Sequence, residues 1–288
     1  MTRGYNGEMR KVYLVPNAIT AFGLTCGLFV IFKTSVADPN ADLFSVLQAS
    51  AILLLIAAIA DLADGAVARL IKAQSEFGGQ FDSLADAVTF GVAPPLVALK
   101  SLAGVDLGRL STFFVIVSAM IYTLCGVLRL VRYNVAVSTE KSDSRERKEK
   151  KHFTGLPIPA AAAAAVSMSL ILLSEYVESF FGFSTGARAF ILSAALVVLG
   201  YFMVSRWKFP SVKALHFRVP SFYLVFGTGV MAVLLLYGIL DYFAEAFFIA
   251  SWLYLIIAWT LSVIRIIAGK RSKTLLDFEP DREDDHFE

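Results

Sequence analysis

Long apolar blocks dominate this sequence of 288 residues and leave few choices of fold. Hydrophobic residues make up 57% of the chain and charged residues only 17%, a balance that is too apolar for an ordinary soluble domain. About 20 apolar residues suffice to cross the hydrocarbon core of a bilayer as a helix. The sequence therefore predicts an all-α fold, a polytopic membrane helix bundle. About eight transmembrane helices are expected, over residues 12–33, 45–70, 82–100, 110–132, 158–177, 186–205, 221–240 and 247–268.

The lysines and arginines between these blocks are unequally distributed. If the N-terminus is inside, the outer connections hold only Lys33, Lys100, Arg109 and Arg188, and all the others lie on the inner side. Because cytoplasmic loops carry an excess of Lys and Arg, we expect both termini in the cytoplasm and the protein in the cell inner membrane. The net charge of +2 conceals this sidedness. A basic cytoplasmic surface favours anionic membrane lipids, and no nucleic-acid partner is expected.

Four aspartates stand where the second apolar block ends and the third begins: Asp61, Asp64, Asp82 and Asp86. An aspartate at the centre of a membrane helix costs roughly 2.5 to 3.5 kcal/mol, so this group needs a compensating partner. Residues three or four apart share a helix face, and two helices meeting here would form a cup of four carboxylates. Such an oxygen-only set suits Mg²⁺ or Mn²⁺, and it has room for two ions. The distribution of lysines and arginines places these aspartates, and with them the expected active site, on the cytoplasmic side of the membrane.

A fixed spacing joins these aspartates to two glycines, an alanine and an arginine. The full pattern reads Asp61-x2-Asp64-Gly65-x2-Ala68-Arg69-x8-Gly78-x3-Asp82-x3-Asp86. It resembles the motif of the CDP-alcohol phosphotransferases, with every fixed position filled. The resemblance implies an integral membrane enzyme with a six-helix core, in which a hydroxyl attacks a CDP-linked lipid or alcohol and CMP is released. It also suggests a homodimer. Asp86, the last aspartate, is the candidate general base as well as a metal ligand.

The motif residues between the aspartates are candidates for binding the CDP group. Gly65 leaves room for a ligand to approach the backbone, and Ala68 and Gly78 occupy fixed positions of the motif. The planar guanidinium of Arg69 can engage two phosphate oxygens at once. An interfacial arginine that extends toward water is the alternative interpretation of Arg69.

The first apolar block opens with Pro16-Asn17-Ala18-Ile19-Thr20. In a membrane helix an asparagine can bridge helices and a threonine can bond its own backbone, so a purely structural role is available to both. A Pro-Asn-x-x-Thr opening is common in the family that the aspartate motif resembles. That resemblance places Asn17 and Thr20 at the nucleotide pocket.

A second pattern, less specific than the aspartate motif, lies at the end of the fourth apolar block and the start of the fifth. It reads Arg129-Leu130-Val131-Arg132-Tyr133-Asn134 and then Gly155-Leu156-Pro157-Ile158-Pro159-Ala160-Ala161. These elements, with Ser205-Arg206 and Phe209-Pro210-Ser211 further on, resemble the integral membrane phosphatidylserine synthases, one branch of the family. The resemblance implies CDP-diacylglycerol as donor and L-serine as acceptor, with Arg129 and Arg132 available for the serine carboxylate. By position alone, both arginines are explained equally well as interfacial anchors.

The resemblance extends from residue 11 to about residue 215. We therefore expect a core over residues 1–220, an additional transmembrane helix pair over 221–269 and a charged cytoplasmic tail over 270–288. Two alternatives remain open. The first is a sister enzyme of the same family, with glycerol phosphate, inositol phosphate or choline as acceptor. A phosphorylated acceptor needs extra cations, such as Arg206 or Lys208. The second alternative is a divalent-cation transporter. A transporter needs carboxylates near the bilayer midplane in broken helices, whereas these aspartates are expected at a cytoplasmic helix end.

Overall fold

The computed structural model describes residues 3–38, 41–71, 75–104, 107–142, 155–205 and 242–268. Within these ranges all regular structure is helical and no strand is present. The helices are α1 (Arg3–Val36), α2 (Leu43–Leu70), α3 (Glu76–Asp86), α4 (Ala93–Ser101), α5 (Gly108–Ser142), α6 (Ile158–Ile171), α7 (Glu175–Phe181), α8 (Thr185–Val204) and α9 (Phe243–Ala268). A π-helical segment, Ala87–Val92, joins α3 to α4. The prediction of an all-α bundle is confirmed.

Six helical segments in the described part of the chain are long and apolar enough to cross a membrane. A seventh is added if α6 and α7, which meet at a bend of 62°, count as one span. The polytopic membrane architecture is therefore confirmed. Seven of the eight predicted segments fall on described helices, and the other, 221–240, lies outside the described residues. The domain boundaries proposed from the sequence stay predictions.

The fifth predicted segment is not one straight helix. It was expected to run from 158 to 177, but α6 ends at Ile171. Ser174 has an extended backbone, and its hydroxyl accepts a hydrogen bond from the backbone N–H of Val177 at 3.4 Å. A serine in this position caps the start of a new helix. The cap explains why α7 begins as a separate helix, at an angle to α6.

Helix α6 lies at the centre of the bundle, in contact with α2, α4, α8 and α9. Its alanines at 161, 162, 164 and 165 are buried, and such small side chains let neighbouring helix backbones approach closely. Helices α5 and α8 also pack tightly: a Cβ added at Gly200 would stand 3.5 Å from the Cα of Tyr122. The central helices therefore pack closely against one another, and α6 packs against α2.

Two consecutive prolines explain the π-helical segment. Pro94 and Pro95 have no N–H, so they cannot donate to the carbonyl groups four residues earlier, those of Phe90 and Gly91. Helix α5 supplies donors instead. The Tyr122 hydroxyl donates to the Phe90 carbonyl at 3.1 Å, and the hydroxyl of Thr123 donates to the Gly91 carbonyl at 3.0 Å. In a membrane, freed backbone groups need such partners, and here they fix the chain directly after Asp86.

Candidate active site

Helices α2 and α3 bring three of the predicted carboxylates together. Asp61, Asp64 and Asp82 each offer an oxygen, and the three oxygens lie within 4.8 Å of one another. Asp61 and Asp82 are at hydrogen-bonding distance, and Asp64 is only 5% exposed. Carboxylates this close repel one another unless a cation or a proton lies between them. The oxygen-only donor set and its spacing fit a divalent cation of the hard type.

Helix α1 closes one side of this group. Thr20, Gly23 and Leu24 line a cavity of about 210 Å³, including its open mouth, together with the aspartates. The Thr20 hydroxyl donates a hydrogen bond to Oδ2 of Asp64, and the same hydroxyl oxygen lies 3.1 Å from the Pro16 carbonyl oxygen. The structure therefore places Thr20 on a carboxylate of the cluster. Its predicted contact with the nucleotide stays a prediction.

The contact between α1 and the π-helical segment is unusually close. A Cβ added at Gly27 would lie 2.4 Å from Oγ1 of Thr89 and 2.8 Å from its Cα. The Thr89 hydroxyl lines the same cavity, is buried and has no hydrogen-bond partner among the described residues. Thr89 could not be singled out from the sequence, because only the packing of α1 against the π-helical segment shows that its hydroxyl lies in the cavity.

Asp86 lines the cavity beside the compact group of three. It is the last residue of α3 and is half-buried. Electrostatic interactions link it to Asp61, Asp64, Asp82 and, with opposite sign, Arg129. An arginine of α5 therefore lies within electrostatic range of the final aspartate of the motif.

Arg129 and Arg132, both predicted to bind an acceptor, have different surroundings. Arg129 is half-buried, and its Nε is buried with no hydrogen-bond partner in the described ranges. Arg132 is exposed, and its Nη1 donates to the carbonyl oxygen of Val204 at 3.1 Å, near the end of α8. Arg132 therefore helps to join α5 to α8, and the predicted binding of an acceptor by the two arginines stays a prediction.

The residues predicted to bind CDP lie around the open end of α2 and the start of α3. Arg69 is exposed in the last turn of α2, and a Cβ added at Gly65 would meet no atom within 4 Å. A Cβ added at Gly78 would instead lie 3.2 Å from Oδ1 of Asn17. Asn17 and Gly78 are therefore neighbours, although 61 positions separate them in the sequence. Ala68 is half-buried in the same stretch of α2.

One further contact ties the site to α5. The Ser83 hydroxyl, next in sequence to Asp82, donates to Oδ1 of Asn134 at 3.1 Å. Asn134 closes the arginine-containing element found in the sequence, whereas Ser83 was not singled out. The sequence gives little reason to single out Ser83, because the hydroxyl of a serine on a helix usually donates to the backbone of the same helix.

The family described as CDP-alcohol phosphatidyltransferase matches residues 13–205 of the chain. A CDP-diacylglycerol–serine O-phosphatidyltransferase of Helicobacter pylori is 33% identical over 264 residues, which cover 91% of this chain and 98% of that protein. A protein of the same description from Bacillus subtilis is 32% identical over 199 residues, 69% of this chain and 91% of the relative. One from Saccharomyces cerevisiae is 43% identical over 98 residues, 34% of this chain and 33% of the relative.

Proposed function

The chain belongs to the CDP-alcohol phosphatidyltransferase family, and from this premise we propose that it transfers the phosphatidyl group of CDP-diacylglycerol to the hydroxyl of L-serine. The products are phosphatidylserine and CMP. Three carboxylates converging within 4.8 Å at the site carry the proposal. The Helicobacter pylori relative, named for this reaction, is similar over nearly the whole chain. Together they make the protein a membrane transferase of phospholipid biosynthesis.

Asp61, Asp64 and Asp82 are the proposed metal ligands, and Asp86 is the proposed fourth. The close approach of the first three fits a divalent ion, since it leaves mutual repulsion that a cation offsets. We propose Mg²⁺ or Mn²⁺, with room for two ions. When bound, such an ion polarises phosphoryl oxygens and offsets the charge that develops on them.

The chemical step needs a base and an oriented acceptor. The serine hydroxyl oxygen forms a bond to the phosphorus that carries diacylglycerol, while the bond from that phosphorus to the CMP oxygen breaks and CMP leaves. Asp86 accepts the hydroxyl proton. A carboxylate is a weak base for an alcohol, so holding the hydroxyl against the phosphorus supplies most of the help.

Arg129 is proposed to hold the acceptor. Its electrostatic interaction with Asp86 supports this role, as does its buried Nε, which has no hydrogen-bond partner among the described residues. A guanidinium binds a carboxylate through two parallel hydrogen bonds. A serine carboxylate bound here brings the serine hydroxyl toward Asp86. Arg132 stands one turn further along α5 as a supplementary charge.

The nucleotide is proposed to lie over the ends of α2 and α3. Asn17 and Gly78 are neighbours there, and Arg69 is exposed to reach the diphosphate. Open space above Gly65 gives the ligand access to the backbone. Thr20 and Ala68 complete the proposed set.

We propose that this end of the bundle faces the cytoplasm of a cell whose inner membrane holds the protein, because the flanking connections carry most of the basic residues. A homodimer is also proposed. Single cysteines placed at Ser142 and at Gly104 give a direct test of orientation. In intact cells an impermeant thiol reagent should label the second position and not the first.

An acceptor panel tests the reaction itself. The purified protein receives CDP-diacylglycerol with labelled serine, glycerol phosphate, inositol phosphate or choline, and lipid product and CMP are measured together. Serine alone should give labelled lipid, with one CMP released per lipid formed. The Asp82→Asn variant provides the background. Product from another acceptor, with none from serine, would assign the protein to a sister activity of the same family.

A further inference from the structure

The hydroxyl of Thr89 lacks the hydrogen bond that a threonine on a helix usually makes. Such a hydroxyl commonly donates to a backbone carbonyl one turn earlier, as that of Thr34 does to Val30 at 2.8 Å. Thr89 is only 2% exposed, and its hydroxyl has no hydrogen-bond partner in the part of the chain that the structure describes. Because an unpaired buried hydroxyl is costly, a bound ligand that paired with it would gain affinity.

Helix α1 fixes the position of the Thr89 side chain. A Cβ added at Gly27 would lie 2.4 Å from Oγ1 of Thr89 and 2.8 Å from its Cβ, so Thr89 packs directly against the backbone of α1. About two turns of α1, roughly 10 Å, separate Gly27 from Thr20, which donates to Asp64. Thr89 and the Thr20–Asp64 hydrogen bond therefore lie at different ends of the carboxylate cavity, which both threonines line.

The end of the cavity at Thr89 adjoins a second, apolar cavity. Phe90, next in sequence to Thr89, lines both cavities. The second cavity has a volume of about 240 Å³, including its open mouth, and its lining residues are all apolar, among them Leu54 of α2, Ala162 of α6 and Phe247 of α9. Hydrocarbon is the ligand chemistry that such a lining favours. Thr89 thus stands between a cavity suited to a metal ion with phosphates and one suited to an acyl chain.

We infer that Thr89 binds the lipid donor, its hydroxyl donating a hydrogen bond to an oxygen of the phosphoryl group that carries diacylglycerol. The inference rests on CDP-diacylglycerol as the donor in the proposed function. Ionised carboxylates accept hydrogen bonds and cannot donate them. Among the described residues that line the carboxylate cavity, two carry a hydroxyl, and that of Thr20 already donates to Asp64. Of the two phosphoryl groups of the donor, the one joined to diacylglycerol lies nearer the hydrocarbon, and so nearer Phe90.

The Thr89→Val variant removes the hydroxyl and keeps the shape that fits against Gly27. With Mn²⁺ present and serine absent, the Kd for CDP-diacylglycerol should rise about 10- to 100-fold, the effect of a hydrogen bond to a charged group. The Kd for CMP should stay unchanged, because CMP lacks that phosphoryl group. Thr89→Ser, which keeps a hydroxyl, should restore most of the affinity for the donor. Unaltered donor binding in Thr89→Val, or equal weakening of both ligands, overturns the inference.

Thermal unfolding of the substrate-free protein separates ligand binding from a structural role. Because the hydroxyl is unpaired there, Thr89→Val should leave the thermal midpoint unchanged or raise it. A lower midpoint with an unaltered donor Kd would give the hydroxyl a structural partner and overturn the inference. Thr34→Val, which removes a buried hydroxyl bonded to its own helix, is the matched control and should leave the donor Kd unchanged. If the unmodified protein binds CDP-diacylglycerol but makes no phosphatidylserine, the proposed function fails, and the binding comparison still decides the role of Thr89.

Discussion

The Thr20 hydroxyl of α1 donates a hydrogen bond to the Asp64 carboxylate of α2, across 44 positions of sequence. This contact orients a carboxylate oxygen within the cluster and ties the first helix to it. Hydrogen-bond partners of metal-binding carboxylates hold those ligands in place and tune them. Thr20 is thus connected to the metal site through Asp64, whatever its contact with the nucleotide.

Replacing Thr20 with valine keeps the side-chain shape and removes the donor. The metal concentration that gives half-maximal activity should rise roughly 10- to 100-fold, the usual cost of losing a partner of a metal ligand. The measurement is activity as a function of free Mn²⁺ concentration. Thr25→Val is the matched control, because the Thr25 hydroxyl is exposed and donates to the Ala21 carbonyl of its own helix. Equal metal dependence in both variants would remove Thr20 from this role.

Gly27→Ala should destabilise the protein, because the added methyl group would lie 2.4 Å from the Thr89 hydroxyl oxygen. Overpacking of this kind typically costs about 1 to 3 kcal/mol. Thermal unfolding in detergent measures the effect. Gly23→Ala, one turn earlier, is the comparison: its methyl group would meet its nearest neighbours at 3.6 Å, an ordinary contact. Similar midpoints for the two variants would show that α1 does not cross Thr89 so closely.

Tyr122→Phe should lower the thermal midpoint. The change leaves the Phe90 carbonyl without the donor that replaces the proline-blocked helix bond, and an unsatisfied buried acceptor costs about 1 to 3 kcal/mol. Tyr201→Phe, an exposed tyrosine on α8, provides the control. A Tyr122→Phe protein as stable as the unmodified one would mean that the carbonyl finds another donor.

Asp82→Asn and Asp86→Asn should have different kinetic effects. Asp82→Asn removes a charge from the compact carboxylate group, so the affinities for metal and for CDP-diacylglycerol should fall together. Asp86→Asn should lower kcat more than it weakens donor binding if Asp86 takes the serine proton. Steady-state kinetics at saturating metal, with a separate measurement of donor binding, distinguish the two. Near-normal turnover in Asp86→Asn would exclude it as the base.

Much of the site could be predicted from the sequence because helix periodicity fixes which aspartates share a face. The i and i+3 spacing of Asp61 and Asp64 required only that α2 be a helix, and Asp82 joins them as expected. Asp86 shares the cavity but stands outside the compact group. The π-helical segment begins directly after Asp86, and no periodicity in the sequence signals it.

Contacts between helices that are distant in the sequence could not be predicted from the sequence pattern. Thr89 is an ordinary member of an apolar helix until the packing shows that Gly27 faces it. The bend after α6 was also missed, because hydrophobicity continues through the Ser174 cap that starts α7. Pattern fixes the face of a helix, whereas its partner depends on side-chain fit across the whole bundle.

The most direct test of the central claim, that the aspartate cluster holds a catalytic divalent cation, is CMP release from CDP-diacylglycerol and serine as metal is removed and restored. Purified protein treated with a chelator should release no CMP, and Mg²⁺ or Mn²⁺ added back should restore release and phosphatidylserine formation in equal amounts. The Asp82→Asn variant should need far more metal for the same rate. Full turnover in metal-free buffer would contradict the assignment of Asp61, Asp64 and Asp82 as a metal site.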